Sequence, residues 1–220
     1  MGQHPFPLPD ENARLEQATG KRLGRLWWLD LALGALIFFL AQAIGVTYLI
    51  TYSPRFDFYQ QYHGPAVMIG LGHGFVNPIL NRTPAIRDFL EGKDLELDRD
   101  RLPPMIPTEP LAAFQENHRY AMYLIGLWWR VFGVSWYALA TLQGVLFGFA
   151  AIGAYGIFRL GMGRAFAFAA ALLILCSPGF LHMLSQVRDF NKAPFILGAL
   201  AITGWIVKSG HTPLRTLPAA

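Results

Sequence analysis

Charged residues are scarce in this 220-residue sequence, which has 18 Lys or Arg and 14 Asp or Glu, or 15% of the chain. In soluble domains about a quarter of the residues are charged. Apolar residues make up 54% of the sequence. The shortage of charge therefore favours a membrane protein over a soluble globular one.

Cysteine is almost absent, because Cys176 is the only one and it lies within an apolar run. This excludes an internal disulfide and the common cysteine-based zinc sites. The net charge of +4 is modest, and the sequence has no internal repeat and no RNA- or DNA-binding motif, so nucleic acid is not an expected partner. The glycine-rich GLGHGF at residues 70–75 follows no predicted strand and predicts no dinucleotide site.

Apolar runs, in contrast, are frequent. A helix of about 20 apolar residues crosses the ~30 Å hydrocarbon core of a bilayer, and on this basis we predict four spans, at residues 26–51, 136–158, 165–183 and 193–207. Gly144 and Gly148 have the GxxxG spacing that permits close helix packing. The remaining segments are an N-terminal segment at 1–25, an outer loop at 53–134 and a tail at 210–220. The predicted class is an all-α polytopic membrane protein.

The orientation depends on the segment HRYAMYLIGLWWRVFG, which has about ten apolar residues between Arg119 and Arg130. It is short for a span, so we predict a helix that lies in the membrane interface. The basic turn from Arg159 to Arg164 is then cytoplasmic, as are the N-terminus and Lys208, because basic residues favour the cytoplasmic side. The alternative is that this helix crosses the membrane, which would place the later loops on the opposite sides.

Within the outer loop, we predict a second interfacial helix at residues 62–80 and a charged, solvated excursion at residues 82–101.

Two acidic positions fall on the predicted outer face. Asp57 follows the first span among aromatic residues, and a carboxylate there could accept a proton from an acceptor hydroxyl as a general base. Asp189 could orient a divalent cation or a substrate, while Arg188 and Lys192 could neutralise a phosphate. The alternative for each position is structural: Asp57 pairs with Arg55, and Asp189 forms an ion pair in a hydrated loop.

The order of these features resembles the GT-C superfamily of membrane glycosyltransferases, in particular protein mannosyltransferases and lipid A aminoarabinose transferases. The resemblance rests on "FD" at Phe56–Asp57 in the first outer loop, on an interfacial helix that ends in "FG" at residues 132–133, on a span that ends in a basic turn, and on "SP" at residues 177–178 before a second acidic loop. It covers nearly the whole chain. Phe58 departs from the pattern, since mannosyltransferases have glutamate after the first-loop aspartate.

The resemblance implies transfer of a sugar from a polyprenyl-phosphate carrier to an acceptor outside the membrane, together with two juxtamembrane helices in the first outer loop. It implies that Asp57 is the catalytic acidic residue and that Asp189 lies near the donor phosphate or a metal. Arg188 and Lys192 are added for their charge and proximity. A divalent cation is a candidate cofactor, with Asp57 and Asp189 as its candidate ligands.

The expected function is therefore a membrane glycosyltransferase in the bacterial inner membrane, with the bilayer and the sugar-carrying lipid as partners and the N-terminus in the cytoplasm. Family members are longer, and the closing LRTLPAA reads like the approach to another apolar helix. We therefore expect the chain to be the N-terminal portion of a larger enzyme, and such a portion need not be active alone. The alternative function is a small non-catalytic membrane protein: a scaffold, a transporter subunit or a lipid-carrier-binding subunit.

Overall fold

A computed structural model describes residues 9–52 and 60–209, without the side chains of residues 9–27, 60, 61, 188 and 209. The described part is mostly helical, as predicted. Its helices are α1 (Pro9–Thr51), α2 (Gly64–Leu71), α3 (Pro84–Leu90), α4 (Ala113–Asn117), α5 (Arg119–Phe132), α6 (Trp136–Arg159), α7 (Arg164–Leu175), α8 (Pro178–Ser185), α9 (Val187–Phe190) and α10 (Ala193–Ser209). Two short strands, β1 (Asn77–Pro78) and β2 (Thr108–Glu109), pair in antiparallel register.

Two of the described helices are long and apolar enough to cross a membrane: Trp28–Thr51 within α1, and Trp136–Arg159, which is α6. A third crossing would require α7 and α8 to form one span, and these two helices are bent by 57° at their junction. The bend has a local cause, because the Ser177 side chain accepts a hydrogen bond from the Phe180 amide and Pro178 begins α8. The apolar part of α10, Ala193–Lys208, is shorter. The chain is thus a helical protein with two candidate spans, or three, where the sequence predicts four.

Helix α6 is the centre of the bundle, since 72% of its apolar window is buried, compared with 22% for α1. α1 packs antiparallel to α6, and α10 packs parallel to it: Asp30 reaches Arg159 at one end, and Gly153 meets Leu197 farther along. A Cβ atom at Gly144 would lie 2.5 Å from Val46 Cγ2, and one at Gly148 would lie 2.6 Å from Phe38. The predicted close packing at these two glycines is confirmed.

The long loop between α1 and α6 folds against one end of the bundle. Its centre is a cluster of aromatic rings, in which Phe89 stacks on Trp136 with centroids 4.8 Å apart and contacts Trp129 edge-on. The Trp136 indole donates to the Phe89 carbonyl at 3.0 Å. The prediction that residues 82–101 are simply a solvated excursion is therefore wrong. Ile86, Phe89 and Leu90 recur at helical spacing, and α3 buries this face while its charged residues stay outside.

Helix α5 lies across the same end of the bundle. Its last turns contact the start of α6, where the Trp128 indole donates to the Ala138 carbonyl at 2.8 Å, and its first turns face the start of α10. Met122, Ile125 and Trp129 are buried on one side, while Tyr120, Val131 and other apolar side chains on another side are exposed. α2 forms within residues 62–80 and packs on α5, with residues 64–70 buried.

Candidate functional site

A groove of about 570 Å³ lies between the first half of α5 and the start of α10. Most of its wall is apolar, and its polar residues are at the end of α4 and around the α9–α10 turn. The lining residues are Asn117, His118, Tyr120, Ala121, Leu124, Asn191, Lys192, Phe195 and Ile196. An elongated apolar surface with a few polar groups at one end is suited to an amphiphilic ligand.

The α9–α10 turn places its polar residues by local backbone geometry. The Asn191 amide donates to the Val187 carbonyl at 3.2 Å at the end of α9, and α10 begins at Ala193 with Pro194 in its first turn. Proline is favoured at such a position because its missing amide hydrogen would have no helical partner. The short turn holds Lys192 at the mouth of the groove and Asn191 at its base.

Lys192 supplies the positive charge of the groove. Its side chain is 63% exposed, and its Nζ lies 3.8 Å from Asp189 Oδ1. A single ion pair of this length and exposure is weak, so an anionic ligand could compete for the ammonium group. Its position beside an apolar wall is typical of a side chain that meets a phosphate at a membrane surface.

Asn191 is buried and bonded to the middle of α6. The Gln143 amide nitrogen donates to Asn191 Oδ1 at 2.8 Å, whereas Gln143 Oε1 and Asn191 Nδ2 have no hydrogen-bond partner within the described part of the protein. Buried polar atoms nearly always have a partner, because desolvating them without one costs free energy. The Gln143–Asn191 pair therefore leaves one donor and one acceptor unsatisfied beneath the groove that Asn191 lines.

His118 is the third polar residue of the groove. Its Nδ1 lies 2.7 Å from the Phe114 carbonyl oxygen, and its ring stacks on Phe114 with centroids 4.3 Å apart. If Nδ1 donates to that carbonyl, the neutral ring keeps Nε2 as an acceptor, whereas the protonated ring donates from both nitrogens. Phe114 also contacts Tyr62, the residue five positions after Asp57 in the sequence.

The structure brings together only some of the predicted site residues. Asp189 and Lys192 are adjacent at one end of the bundle. Arg188 lies in α9, but its side chain is not among those described, and Asp57 lies outside the described residues. The predicted approach of Asp57 to Asp189 stays a prediction. Within residues 9–52 and 60–209, no group of three or more His, Cys, Asp or Glu side chains is placed to hold a metal ion.

Sequence reasoning missed Gln143, Asn191 and His118 as members of the site. One signal was present, since Gln143 is a large amide in the middle of an apolar span, where polar side chains are functional or paired. His118 gives no such signal, because it stands in a polar segment and is brought to the groove by the packing of α4 on α5.

A second polar cluster lies at the opposite end of the bundle. Asp30 of α1 accepts hydrogen bonds at 2.9 Å from Tyr155 and from Arg159 Nε, and at 3.1 Å from both Nε and Nη2 of Arg164. Arg159 also donates to the Met162 carbonyl at 2.7 Å. One carboxylate thus joins α1, the last turn of α6 and the first turn of α7.

Comparison of the chain with protein-family models, with curated proteins and with solved structures finds no match.

Proposed function

We propose that the protein is a membrane glycosyltransferase of the GT-C kind, or its N-terminal portion, and that it transfers a sugar from a polyprenyl-phosphate carrier. The groove between α5 and α10 supports this proposal best. Its wall suits a polyprenyl chain, and Lys192, Asn191 and His118 offer positive charge and hydrogen bonds to a phosphate at one end.

The proposal includes four membrane spans with the N-terminus in the cytoplasm of a bacterial cell. α7 with α8 would form the third span and α10 the fourth, which crosses with the help of the basic and aromatic residues at its end. The exposed apolar side chains of α1 and α10 support this arrangement, because such surfaces are rare on soluble proteins. The groove would then open at the outer face of the membrane.

In the proposed reaction, Asp57 takes the proton of an acceptor hydroxyl while the hydroxyl oxygen attacks the anomeric carbon of the sugar. The bond between that carbon and the carrier phosphate breaks, and its electron pair leaves on the phosphate oxygen. Lys192, with Arg188, neutralises the charge of the departing polyprenyl phosphate. A bound divalent cation would help to neutralise the charge of the departing polyprenyl phosphate.

The test has a binding arm and a transfer arm, both with the full chain in nanodiscs. In the binding arm we expect polyprenyl phosphate to bind, and Lys192→Gln to weaken its affinity about tenfold, since a charge-assisted hydrogen bond contributes about 1.5–3 kcal/mol. Lys208→Gln is the matched control, because it removes the same charge at the opposite end of the bundle. Equal losses in the two variants would refute the groove as the phosphate site.

In the transfer arm, polyprenyl-phosphate mannose and polyprenyl-phosphate aminoarabinose are supplied separately, and release of the sugar to water or to added acceptor is measured. We expect release with one of them and a loss of about 100-fold in Asp57→Asn, because general base catalysis contributes about 10²–10⁴-fold. Binding without release from either donor would refute transfer by this chain alone and favour the non-catalytic, lipid-carrier-binding alternative. Absence of binding would refute both.

A further inference from the structure

A second cavity, of about 590 Å³, opens at the end of the bundle that carries Asp30. It lies between the last turns of α6 and α10, and it does not share a residue with the groove at the other end. Asp30, Tyr155, Arg159 and Lys208 form its polar wall, and the remaining lining residues are Gly156, Leu160, Ala201, Ile202 and Trp205. Lys192 at the groove and Lys208 at this cavity are 16 residues apart, or about 24 Å along α10.

Two basic side chains line this cavity, those of Arg159 and Lys208. Arg159 and Arg164 both bond to the carboxylate of Asp30. Lys208 is the cationic group of the wall that comes from α10. Its Nζ donates to the Leu160 carbonyl, one of the last in α6, and the described residues place no carboxylate within ion-pair distance of it.

The ion pairs also hold the cationic groups in place. Arg159 is fixed by Asp30 on one side and by the Met162 carbonyl on the other, so little conformational entropy is left to lose when an anion binds. Asp30 therefore holds Arg159 at the wall of the cavity, which Lys208 also lines.

The surroundings decide which anion fits. Trp205 and Ile202 are 66% and 61% exposed beside the cavity, and tryptophan prefers the level of lipid headgroups. A free phosphate would gain nothing from these apolar side chains, whereas a phospholipid would place its acyl chains along them. Basic pockets between membrane helices are suited to acidic headgroups.

We propose that this cavity binds the headgroup of an acidic phospholipid, with Lys208 and Arg159 at the phosphate and the acyl chains along Ile202 and Trp205. The site is separate from the carrier groove and does not depend on the proposed transferase activity. A lipid bound there would join α6 and α10 from the lipid side, while Asp30 joins α1, α6 and α7 from within the bundle.

The experiment uses the full chain, purified and loaded with phosphatidylglycerol or phosphatidylcholine, and counts retained lipids by native mass spectrometry. We expect one phosphatidylglycerol to be retained in preference to phosphatidylcholine. Lys208→Gln should weaken its retention about fivefold, since one basic residue near a membrane contributes about 1 kcal/mol of attraction to acidic lipid. Lys192→Gln, at the other end, should leave it unchanged.

Lys21, Arg22 and Arg25 are unchanged in every variant, so any general attraction of basic residues for acidic lipid cancels in the comparison. The difference between Lys208→Gln and Lys192→Gln is therefore the decisive readout. Trp205→Ala, which leaves all charges in place, should also weaken retention of phosphatidylglycerol. Equal retention of the two lipids, or equal losses in the two lysine variants, would overturn the proposal. Inorganic phosphate that displaces phosphatidylglycerol at equal concentration would overturn the lipid as the ligand.

Discussion

The two ends of the helical bundle differ in how completely their polar groups are paired. At the Asp30 end, one carboxylate receives hydrogen bonds from a tyrosine and two arginines, and three helices are joined by charge. At the groove end, the described contacts between α6 and the α9–α10 turn include one amide–amide bond, with two polar atoms left unpaired. The first arrangement stabilises the bundle, whereas the second leaves hydrogen-bonding capacity unused.

This difference has a physical reason. A charge that is removed from water must be paired, and pairing across helices fixes their relative position. Unpaired neutral amides cost less, so a bundle can tolerate them where a ligand is to bind. The ion-paired end is thus suited to hold the helices, and the groove end is suited to receive a ligand. Substitutions at the two ends test this contrast, and one in the outer loop provides a surface ion pair for comparison.

The largest effect is expected for Asp30→Asn, which leaves Arg159 and Arg164 without their shared carboxylate. Buried pairs lose more when one partner is removed, but these side chains are about a third exposed, so we expect a loss of about 2 kcal/mol. The melting temperature in phosphatidylcholine nanodiscs measures it. Asp94→Asn is the control, because it breaks the exposed Asp94–Arg101 pair at the protein surface.

The same variant connects stability to the proposed lipid site. Asp30→Asn raises the net positive charge of the cavity, so phosphatidylglycerol should restore part of its lost melting temperature, through binding to the folded state. Equal effects of Asp30→Asn and Asp94→Asn would show that the Asp30 cluster does not hold the bundle together.

A smaller effect is expected at the groove end. Gln143→Leu leaves the Asn191 side chain buried without its partner and should cost about 1–2 kcal/mol. The double variant Gln143→Leu/Asn191→Leu should recover most of this loss, because both polar groups are gone, but it should bind polyprenyl phosphate more weakly. The melting temperatures of the wild type, Gln143→Leu, Asn191→Leu and the double variant form a double-mutant cycle. Additive losses would contradict the pairing.

The smallest effect is expected at the surface of the outer loop. The hydrogen bond from Lys93 lowers the pKa of Asp88, and the nearby guanidinium groups of Arg87 and Arg101 act in the same direction. A lowered carboxyl pKa stabilises the fold above the unfolded pKa of about 3.9 and loses this contribution as the pH falls through the folded value. Asp88→Asn should therefore melt slightly below the wild type at pH 7, and the difference should shrink as the pH falls below about 3.9. A difference that does not change with pH would have another cause.

Much of the fold could be predicted from the sequence, because apolar runs and glycine spacing are local properties. The α1 and α6 helices, the break at Ser177-Pro178 and the close approach at Gly144 follow from such patterns. The structure of the outer loop was harder to predict. Helix α3 lies among charged residues and has only three large apolar side chains on its buried face. Phe89, one of the three, packs on Trp129 and Trp136, which are 40 and 47 residues later in the chain.

For the candidate site, the sequence could indicate individual residues but not their partners. The local sequence was enough to predict a helical protein with apolar helices of membrane-spanning length, because the length and hydropathy of a helix depend only on neighbouring residues. Only the tertiary structure decided that Asp30 joins Arg159 and Arg164, and that Gln143 meets Asn191 beneath an apolar groove. These pairs are separated by 48 to 134 residues, and such contacts depend on how the helices pack, which no local pattern encodes.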